Sequence, residues 1–341
     1  MTSQASQLKL VLVLTENWTM LAGTDLQGLV RMAHEAEDSG FDAVMLSEHV
    51  VLGPDAGAAG LMENPRDWAY PGNQDPSTPW PSSLIMLGAI AAVTTRLRLI
   101  AGAVIPPLRH PLLLAKELAT IDQLSRGRLI VIPTVSWSRD EYTALGIPFA
   151  QRGSLLDEHL AAWEQVYAHT PASFDGEHYR FRDVYLEPKA YRPGGPLLWF
   201  GGQRLRPALL RRLVRYGHGF NPLGRPQSGE LHALRAAMAA ANRDPNEMEM
   251  VGGIRGHFPS SDAVANLGQA MESLPEQWEQ GFTTICVKPA MFINDPRDLP
   301  KFCREALRQA ASLIGLLDHQ DIRRARSDRA DCRPLDWMQG N

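Results

Sequence analysis

The sequence has few cysteines, no excess of basic residues and no long apolar run, and each shortage excludes a class of protein. Its three cysteines, Cys286, Cys303 and Cys332, lack metal-ligand spacing among 341 residues. They therefore indicate neither a disulfide scaffold nor a metal site. The net charge is 34 − 38 = −4, so no basic surface favours nucleic acid. The longest uncharged apolar run, Leu84–Val93, is far shorter than the roughly 20 residues that cross a membrane.

Several familiar motifs are also missing. The first residues, MTSQASQ, are polar and show no signal-peptide pattern, so we expect a cytoplasmic protein. No G-x-G-x-x-G, P-loop or H-E-x-x-H motif occurs. A metal-dependent hydrolase barrel would need His and Asp clustered at strand ends, and only His49 is well placed. We therefore predict no metal.

One stretch, Thr95–Trp137, reads as a complete strand–helix–strand unit. Leu97–Val104 is an apolar run bounded by turn formers, which indicates a buried strand. His110 and the proline after it begin a helix, because proline fits the first helical turn. Leu129–Ile132 begins a second buried strand. Short loops around such a unit are typical of a parallel sheet.

The same alternation of strand and helix continues along the chain. A doubly wound open sheet is the alternative, but strand one ends in Thr15-Glu16-Asn17-Trp18, without its glycine-rich turn. We therefore predict an α/β fold: a single (β/α)8 TIM barrel with insertions on the active face over residues 1–320, and a C-terminal tail over 321–341. The predicted strands are Leu8–Leu14, Asp42–Leu46, Leu97–Val104, Leu129–Ile132, Leu197–Phe200, Gly219–Asn221, Met248–Ile254 and Thr283–Lys288.

The active site of such a barrel lies where the strands end. Strand two ends beside Glu48 and His49, which become the candidate catalytic residues. His49 also fits a hydrogen-bonded structural residue, and Glu48 also fits an ion-pair partner.

The amino-acid sequence of several segments resembles that of the bacterial-luciferase-like family of flavin- and deazaflavin-dependent oxidoreductases. These segments are TTRLRL, PLRHPLLLAKELATIDQLSRGRL and a strand ending in SW-SRDEY, and the resemblance extends from about Leu8 to about Leu317. SEHVVLG, SFDGEHYRF and DVYLEPK are most similar to the branch named for coenzyme F-420.

The resemblance implies an oxidoreductase that uses reduced F-420 for hydride transfer to a small organic substrate. An FMN-dependent monooxygenase that inserts one oxygen atom from O2 is the alternative. A barrel that binds a ligand without turnover is a second alternative. The family also implies a homodimer and a separate reductase that supplies the reduced cofactor.

The resemblance also assigns roles to residues at the strand ends. His49 would face the ring of the cofactor. Gly102, Ala103 and Val104 would surround a bulge with a non-prolyl cis peptide centred on Ala103–Val104, where large side chains would collide with the ring.

A phosphate pocket would lie between the ends of strands four and five, since backbone N–H groups and a helix N-terminus suit a phosphate dianion. Many relatives end strand four in a glycine-rich run, where this chain has Pro133-Thr134-Val135-Ser136. No Glu stands near Ser136 or Trp137, which argues against sugar-phosphate dehydrogenation. The expected phosphate ligands are Thr134, Ser136, Tyr142, Gly201, Gly202, Gln203 and Arg204.

Two further features concern substrate access and assembly. Residues 52–80 form a long insertion rich in Pro and Gly, either a lid or a fixed surface excursion. Trp68, Tyr70 and Trp80 could line an apolar substrate site there. Predicted helix two, Pro81–Thr94, is apolar on more than one face, which favours a twofold dimer.

Overall fold

The computed structural model describes residues 8–315. Eight parallel strands close into a barrel in the order β1-β10-β9-β8-β7-β4-β3-β2, and β5 and β6 form a separate hairpin. The predicted TIM barrel is therefore confirmed. The strands are β1 (Lys9–Val13), β2 (Ala43–Leu46), β3 (Arg98–Val104), β4 (Leu129–Pro133), β5 (Ala172–Asp175), β6 (Arg180–Val184), β7 (Leu197–Phe200), β8 (Gly219–Phe220), β9 (Glu249–Gly253) and β10 (Thr284–Val287).

Helices follow the barrel strands and cover the outside of the barrel. Within residues 8–315 no helix is long and apolar enough to cross a membrane. The predicted tail, residues 321–341, lies outside the described residues. The helices are α1 (Leu26–Ser39), α2 (Ser83–Val93), α3 (Pro111–Ser125), α4 (Arg139–Ala144), α5 (Arg152–Ala168), α6 (Pro207–Tyr216), α7 (Ser228–Ala240), α8 (Leu267–Met271), α9 (Leu274–Glu279) and α10 (Leu299–Leu313).

One local expectation from the sequence was wrong, and one pair of strands was not predicted. The apolar positions between 264 and 278 predict one continuous helix, but α8 ends at Met271 and α9 begins at Leu274. Pro275 lies in the first turn of α9, where its missing N–H begins a new helix rather than continuing the old one. The hairpin β5–β6 was not predicted, because its largely exposed strands carry no buried apolar run.

The interior of the barrel is apolar in its middle layer. Val13, Met45, Ile100, Ile130 and Trp199 belong to one cluster of buried side chains from five strands. Inward-facing side chains of alternate strands fill such a barrel, so the interior is a packed core rather than a channel. Any ligand site at this end must therefore lie above this layer, where the strands end.

The amino end of the barrel is closed by an ion cluster. The carboxylate of Glu249 accepts two hydrogen bonds from Arg98, at 2.9 and 3.0 Å. Thr284 donates to it at 2.5 Å and Lys9 at 3.3 Å. Burial favours the neutral carboxyl, but Arg98, Thr284 and Lys9 outweigh burial and hold the pKa of Glu249 below its ordinary value. The Arg98 guanidinium also lies 5.6 Å from the centre of the Trp199 ring.

Candidate functional site at the barrel mouth

The carboxyl ends of the eight strands form the barrel mouth, and His49 stands at one side of it, just beyond β2. Its Nδ1 lies 3.1 Å from Oε2 of Glu141, a fully buried residue of α4. Edge-on contacts with Trp80 and Trp137 fix the ring, with centroid distances of 4.7 and 5.4 Å. No hydrogen bond from residues 8–315 reaches Nε2, and that atom is not fully buried. This nitrogen is therefore free to meet a ligand.

Glu141 orients the imidazole, and the sequence analysis did not assign it any role. The hydroxyl of Ser136 donates to Oε2 at 2.9 Å, and the backbone N–H of Val50 donates to Oε1 at 2.8 Å. A carboxylate oxygen accepts hydrogen bonds, so Nδ1–H of His49 is the donor to Oε2 of Glu141. Nε2 is then the ring nitrogen that is left for a ligand. The signal in the sequence was weak, because Glu141 lies on a short helix five residues past Ser136.

Glu48 lies next to His49 but is turned toward β3. Arg109 donates to both of its oxygens, at 2.7 and 2.9 Å. The backbone N–H of Ile105 donates to Oε1 at 2.8 Å, and Ser83 donates to Oε2 at 3.3 Å. These donors occupy the carboxylate fully, which is the arrangement of a buried ion pair that fixes the loop after β3.

The end of β3 contains the bulge that the family resemblance implies, one residue earlier than expected. The non-prolyl cis peptide joins Gly102 and Ala103, not Ala103 and Val104. The register against β4 shifts between Gly102 and Val104. Ser47 donates to the Gly102 carbonyl at 2.6 Å, so the strand that carries His49 also holds the bulge. Gly102 and Ala103 leave a wall of small residues beside the imidazole.

The expected phosphate ligands comprise backbone groups, which the structure leaves unpaired, and side chains, most of which have partners elsewhere. Val131 pairs with Leu198, so Thr134 and Gly201, each three residues further on, lie at the same height on neighbouring strands. Within residues 8–315, the backbone N–H groups at 202–204 donate to no acceptor. A Cβ at Gly201 would lie 2.0 Å from the carbonyl oxygen of Asn221, so only glycine fits there.

Three side chains expected at the phosphate are occupied elsewhere. The Tyr142 hydroxyl donates to the Val135 carbonyl at 2.6 Å, and burial raises its pKa. Ser136 donates to Glu141.

Arg204 pairs with Glu230 at 2.9 Å. Backbone N–H groups, chiefly that of Gln227, and Arg204 lower the pKa of Glu230 to about 2. The side chain of Gln203 is exposed. Among residues 8–315 the free donors of this region are therefore the backbone groups at 202–204, the Thr134 hydroxyl and the exposed Gln203 amide.

The insertion crosses the barrel mouth and is fixed at several points. The Asp67 carbonyl accepts a hydrogen bond from Lys288 Nζ at 2.8 Å, and its carboxylate pairs with Arg255 at 2.6 Å. Asn64 donates to the Ala263 carbonyl at 2.9 Å, and Trp18 donates to that of Pro79 at 3.0 Å. These contacts join the insertion to the ends of β1, β9 and β10.

Of the three aromatic residues expected in the insertion, two reach the interior. Trp80 contacts His49, and its indole N–H is buried without a hydrogen-bond partner among residues 8–315. Trp68 packs against the apolar cluster inside the barrel. Tyr70 is exposed and lies beside Arg255.

Comparison with known proteins agrees with this architecture. The sequence profile of the luciferase-like monooxygenase family matches residues 9–272. An uncharacterised protein of Mycobacterium tuberculosis (strain ATCC 25618 / H37Rv) is 34% identical over 173 residues, which cover 49% of this chain and 57% of that protein. The FMNH(2)-dependent dimethylsulfone monooxygenase of Pseudomonas putida is 35% identical over 123 residues, which cover 35% of this chain and 34% of the enzyme.

These two relatives are thus matched over only part of their lengths. Among solved structures, the monooxygenase RslO1 from Streptomyces bottropensis superposes with a TM-score of 0.68 at 21% identity. The superposition covers 90% of this chain and 99% of RslO1, and it shows a shared fold. Because the family profile spans most of the barrel, this chain belongs to the luciferase-like monooxygenase family.

Proposed function

We propose that this protein is an oxidoreductase that uses a reduced flavin-type cofactor at the barrel mouth to act on a small organic substrate. One observation carries the proposal: the free Nε2 of His49 faces a mouth whose β3 side is lined by Gly102 and Ala103. A planar ring needs such a flat wall of small residues, and a reaction at the ring needs an oriented proton carrier beside it.

The chain offers suitable donors for the phosphate end of such a cofactor. The N–H groups at 202–204 have no protein acceptor among residues 8–315, and they precede the N-terminus of α6. Such a group of donors suits a phosphate without any contribution from Arg204. Gly201→Ala is expected to displace this turn and weaken cofactor binding. Gly153→Ala is the control, because a Cβ there comes no closer than 4.0 Å to another residue's atoms.

Deazaflavin F-420 is the first candidate and FMN the second. The segments SEHVVLG and DVYLEPK support F-420, whereas the dimethylsulfone monooxygenase relative supports FMN. Bound F-420 would supply a hydride, and bound FMN with O2 would supply an oxygen atom. In both reactions Glu141 orients His49, and His49 accepts or donates a proton at Nε2. Glu48 is then a positioning residue that holds the loop after β3.

The test is a titration of the purified protein with oxidised and reduced F-420 and FMN under anaerobic conditions. Binding is monitored by tryptophan fluorescence. We expect saturable binding of one reduced cofactor, since Trp80 and Trp137 lie beside the site. Tighter binding of reduced FMN, with oxygen uptake on adding air and substrate, selects the monooxygenase. Binding of neither cofactor would reject the proposal and leave a barrel that takes another ligand.

We also propose that the protein is a homodimer and receives its reduced cofactor from a separate reductase. Apolar side chains are exposed on the outer faces of α2 and α3: Ile85 is 75% exposed, and Leu113 is 66% exposed. Ile85→Asp should convert a dimer into a monomer in light scattering at micromolar concentration. Leu61→Asp is the control, because Leu61 is an apolar residue of the insertion that is 63% exposed. A monomeric wild-type protein would contradict this proposal.

A further inference from the structure

Another acidic residue, Glu16, stands at the barrel mouth beside Glu48 and Glu141 and has no role in the site described so far. It follows β1, which lies between β10 and β2. Val13 of β1 pairs with Met45 of β2. Glu16 and Glu48 each follow three residues later, so they lie at a similar height, and Glu48 is the residue before His49. Its backbone has φ = 55°, a conformation that is uncommon for a residue with a side chain. Its position after β1, rather than an extended backbone, puts this residue at the mouth.

The carboxyl group of Glu16 is buried but incompletely paired. Its side chain is 9% exposed, and its charged neighbour is Lys288 Nζ at 3.9 Å. Among residues 8–315 no group donates a hydrogen bond to it, and its oxygens are not fully buried. A buried carboxylate normally accepts several hydrogen bonds. Glu16 therefore has acceptor capacity that the protein does not fill.

Lys288 explains why Glu16 is held in place without being satisfied. The ammonium group is completely buried and donates to the Asp67 carbonyl of the insertion at 2.8 Å. It also lies 5.7 Å from the centre of the Trp68 ring. Burial raises the pKa of Glu16, and the positive charge of Lys288 opposes that effect. Lys288 thus donates its hydrogen bond to the insertion. The 3.9 Å between its Nζ and Oε2 of Glu16 is longer than a hydrogen bond.

We propose that Glu16 is a substrate-binding carboxylate, which accepts a hydrogen bond from a hydroxyl or amino group of the substrate while Trp80 and Trp137 contact the apolar part. The inference rests on the proposed function, because it assigns the substrate to the same mouth as the cofactor. It narrows the substrate class to small molecules that join an O–H or N–H donor to an apolar body.

The test uses three probes of similar shape, cyclohexanol, cyclohexylamine and methoxycyclohexane, with binding followed by ligand-observed NMR. We expect the two donors to bind the wild-type protein about 10- to 100-fold more tightly than the ether, as for hydrogen bonds to charged groups. Glu16→Gln should remove most of the preference for cyclohexylamine. Glu63→Gln removes the same charge from an exposed position of the insertion and should change nothing.

The outcomes separate this inference from the proposed function. Equal affinity for all three probes in a protein that still binds F-420 or FMN overturns the role of Glu16 alone. A preference for donors in a protein that binds neither cofactor overturns the proposed function alone. If Glu16→Gln unfolds, the double variant Glu16→Gln/Lys288→Met removes both buried charges, and the same loss of preference is expected from it.

Discussion

Each end of the barrel contains a largely buried carboxylate, Glu249 at the amino end and Glu16 at the mouth, and the two differ in how completely the fold pairs them. At the amino end, Glu249 accepts hydrogen bonds from Arg98, Thr284 and Lys9. At the mouth, Glu16 accepts none from residues 8–315, and Nε2 of His49 has no partner there. A group whose partners are all supplied by the fold serves stability. A group that the fold leaves open remains available to a ligand.

The largest effect on activity is expected from His49→Ala. Turnover should fall by about 10²–10⁴-fold, the usual contribution of a general acid–base group. Cofactor affinity should change much less, because the proposed phosphate donors lie at the end of β7. The measurement combines steady-state kinetics with cofactor titration.

The control for this experiment is His34→Ala, which alters an exposed histidine of α1. A His49→Ala protein that fails to bind cofactor, while its bound fraction turns over normally, would show that His49 is structural. The contrast between the two ends of the barrel would then lose its main support.

A smaller effect on activity is expected from Glu141→Gln. Turnover should fall by about 10- to 100-fold, as when a residue that orients a reacting group is altered. Cofactor affinity should stay close to that of the wild type, because Glu141 acts on the orientation of the His49 ring. The split between turnover and cofactor affinity is the deciding readout, since a merely structural role would lower both. Glu141→Asp should recover part of the activity if the carboxylate is what matters.

At the amino end the expected effect is on stability instead. Arg98→Met leaves Glu249 without its main partner, and we expect a loss of about 2–4 kcal/mol in the free energy of unfolding. The kcat of the folded fraction should be unchanged. Urea denaturation and kinetics on the same sample test both statements, and a selective loss of kcat would contradict them.

The pH dependence of this stability has a defined sign. The pKa of Glu249 is lowered in the folded protein from an ordinary value of 4.5. Its contribution is therefore fully present above about pH 4.5 and is lost as the pH falls through the folded-state pKa. The difference between wild type and Arg98→Met should shrink over that acidic range. A difference that grows toward low pH would contradict the assignment.

The smallest effect is expected from removing the pair at the mouth. Burial raises the pKa of Glu16 and lowers that of Lys288, so the fold disfavours both charges. Glu16→Gln/Lys288→Met should change the free energy of unfolding at pH 7 by less than about 1 kcal/mol, since such buried pairs are often replaced at little cost. A loss as large as that of Arg98→Met, measured in the same urea series, would show that the two ends do not differ.

The sequence predicted the barrel because most of its strands are short apolar runs. Leu129–Pro133, for example, is buried at every position, as a strand of a parallel sheet must be. His49 was found by the same reasoning, because it directly follows such a run. The hairpin β5–β6 lacks that pattern and lies outside the barrel, so nothing in the sequence indicated it.

The partners of the site could not be predicted in the same way. Glu141 reaches His49 across 92 positions of sequence, and only the packing of α4 against the mouth brings them together. Arg204 is near the predicted phosphate pocket but pairs with Glu230 of the next helix. Glu16 follows β1 as Glu48 follows β2, so the rule that selected Glu48 would also have selected Glu16.

Glu141 contacts both His49 and Val50, and the shared carboxylate has a thermodynamic consequence. Val50 precedes the insertion, so any displacement of the chain there removes one of the hydrogen bonds on the group that orients the imidazole. The position of this segment and the orientation of the His49 ring are therefore linked quantities. A ligand that favours one arrangement of the segment must shift the equilibrium between orientations of the imidazole, and a ligand that favours one orientation of the imidazole must shift the position of the segment by the same coupling free energy.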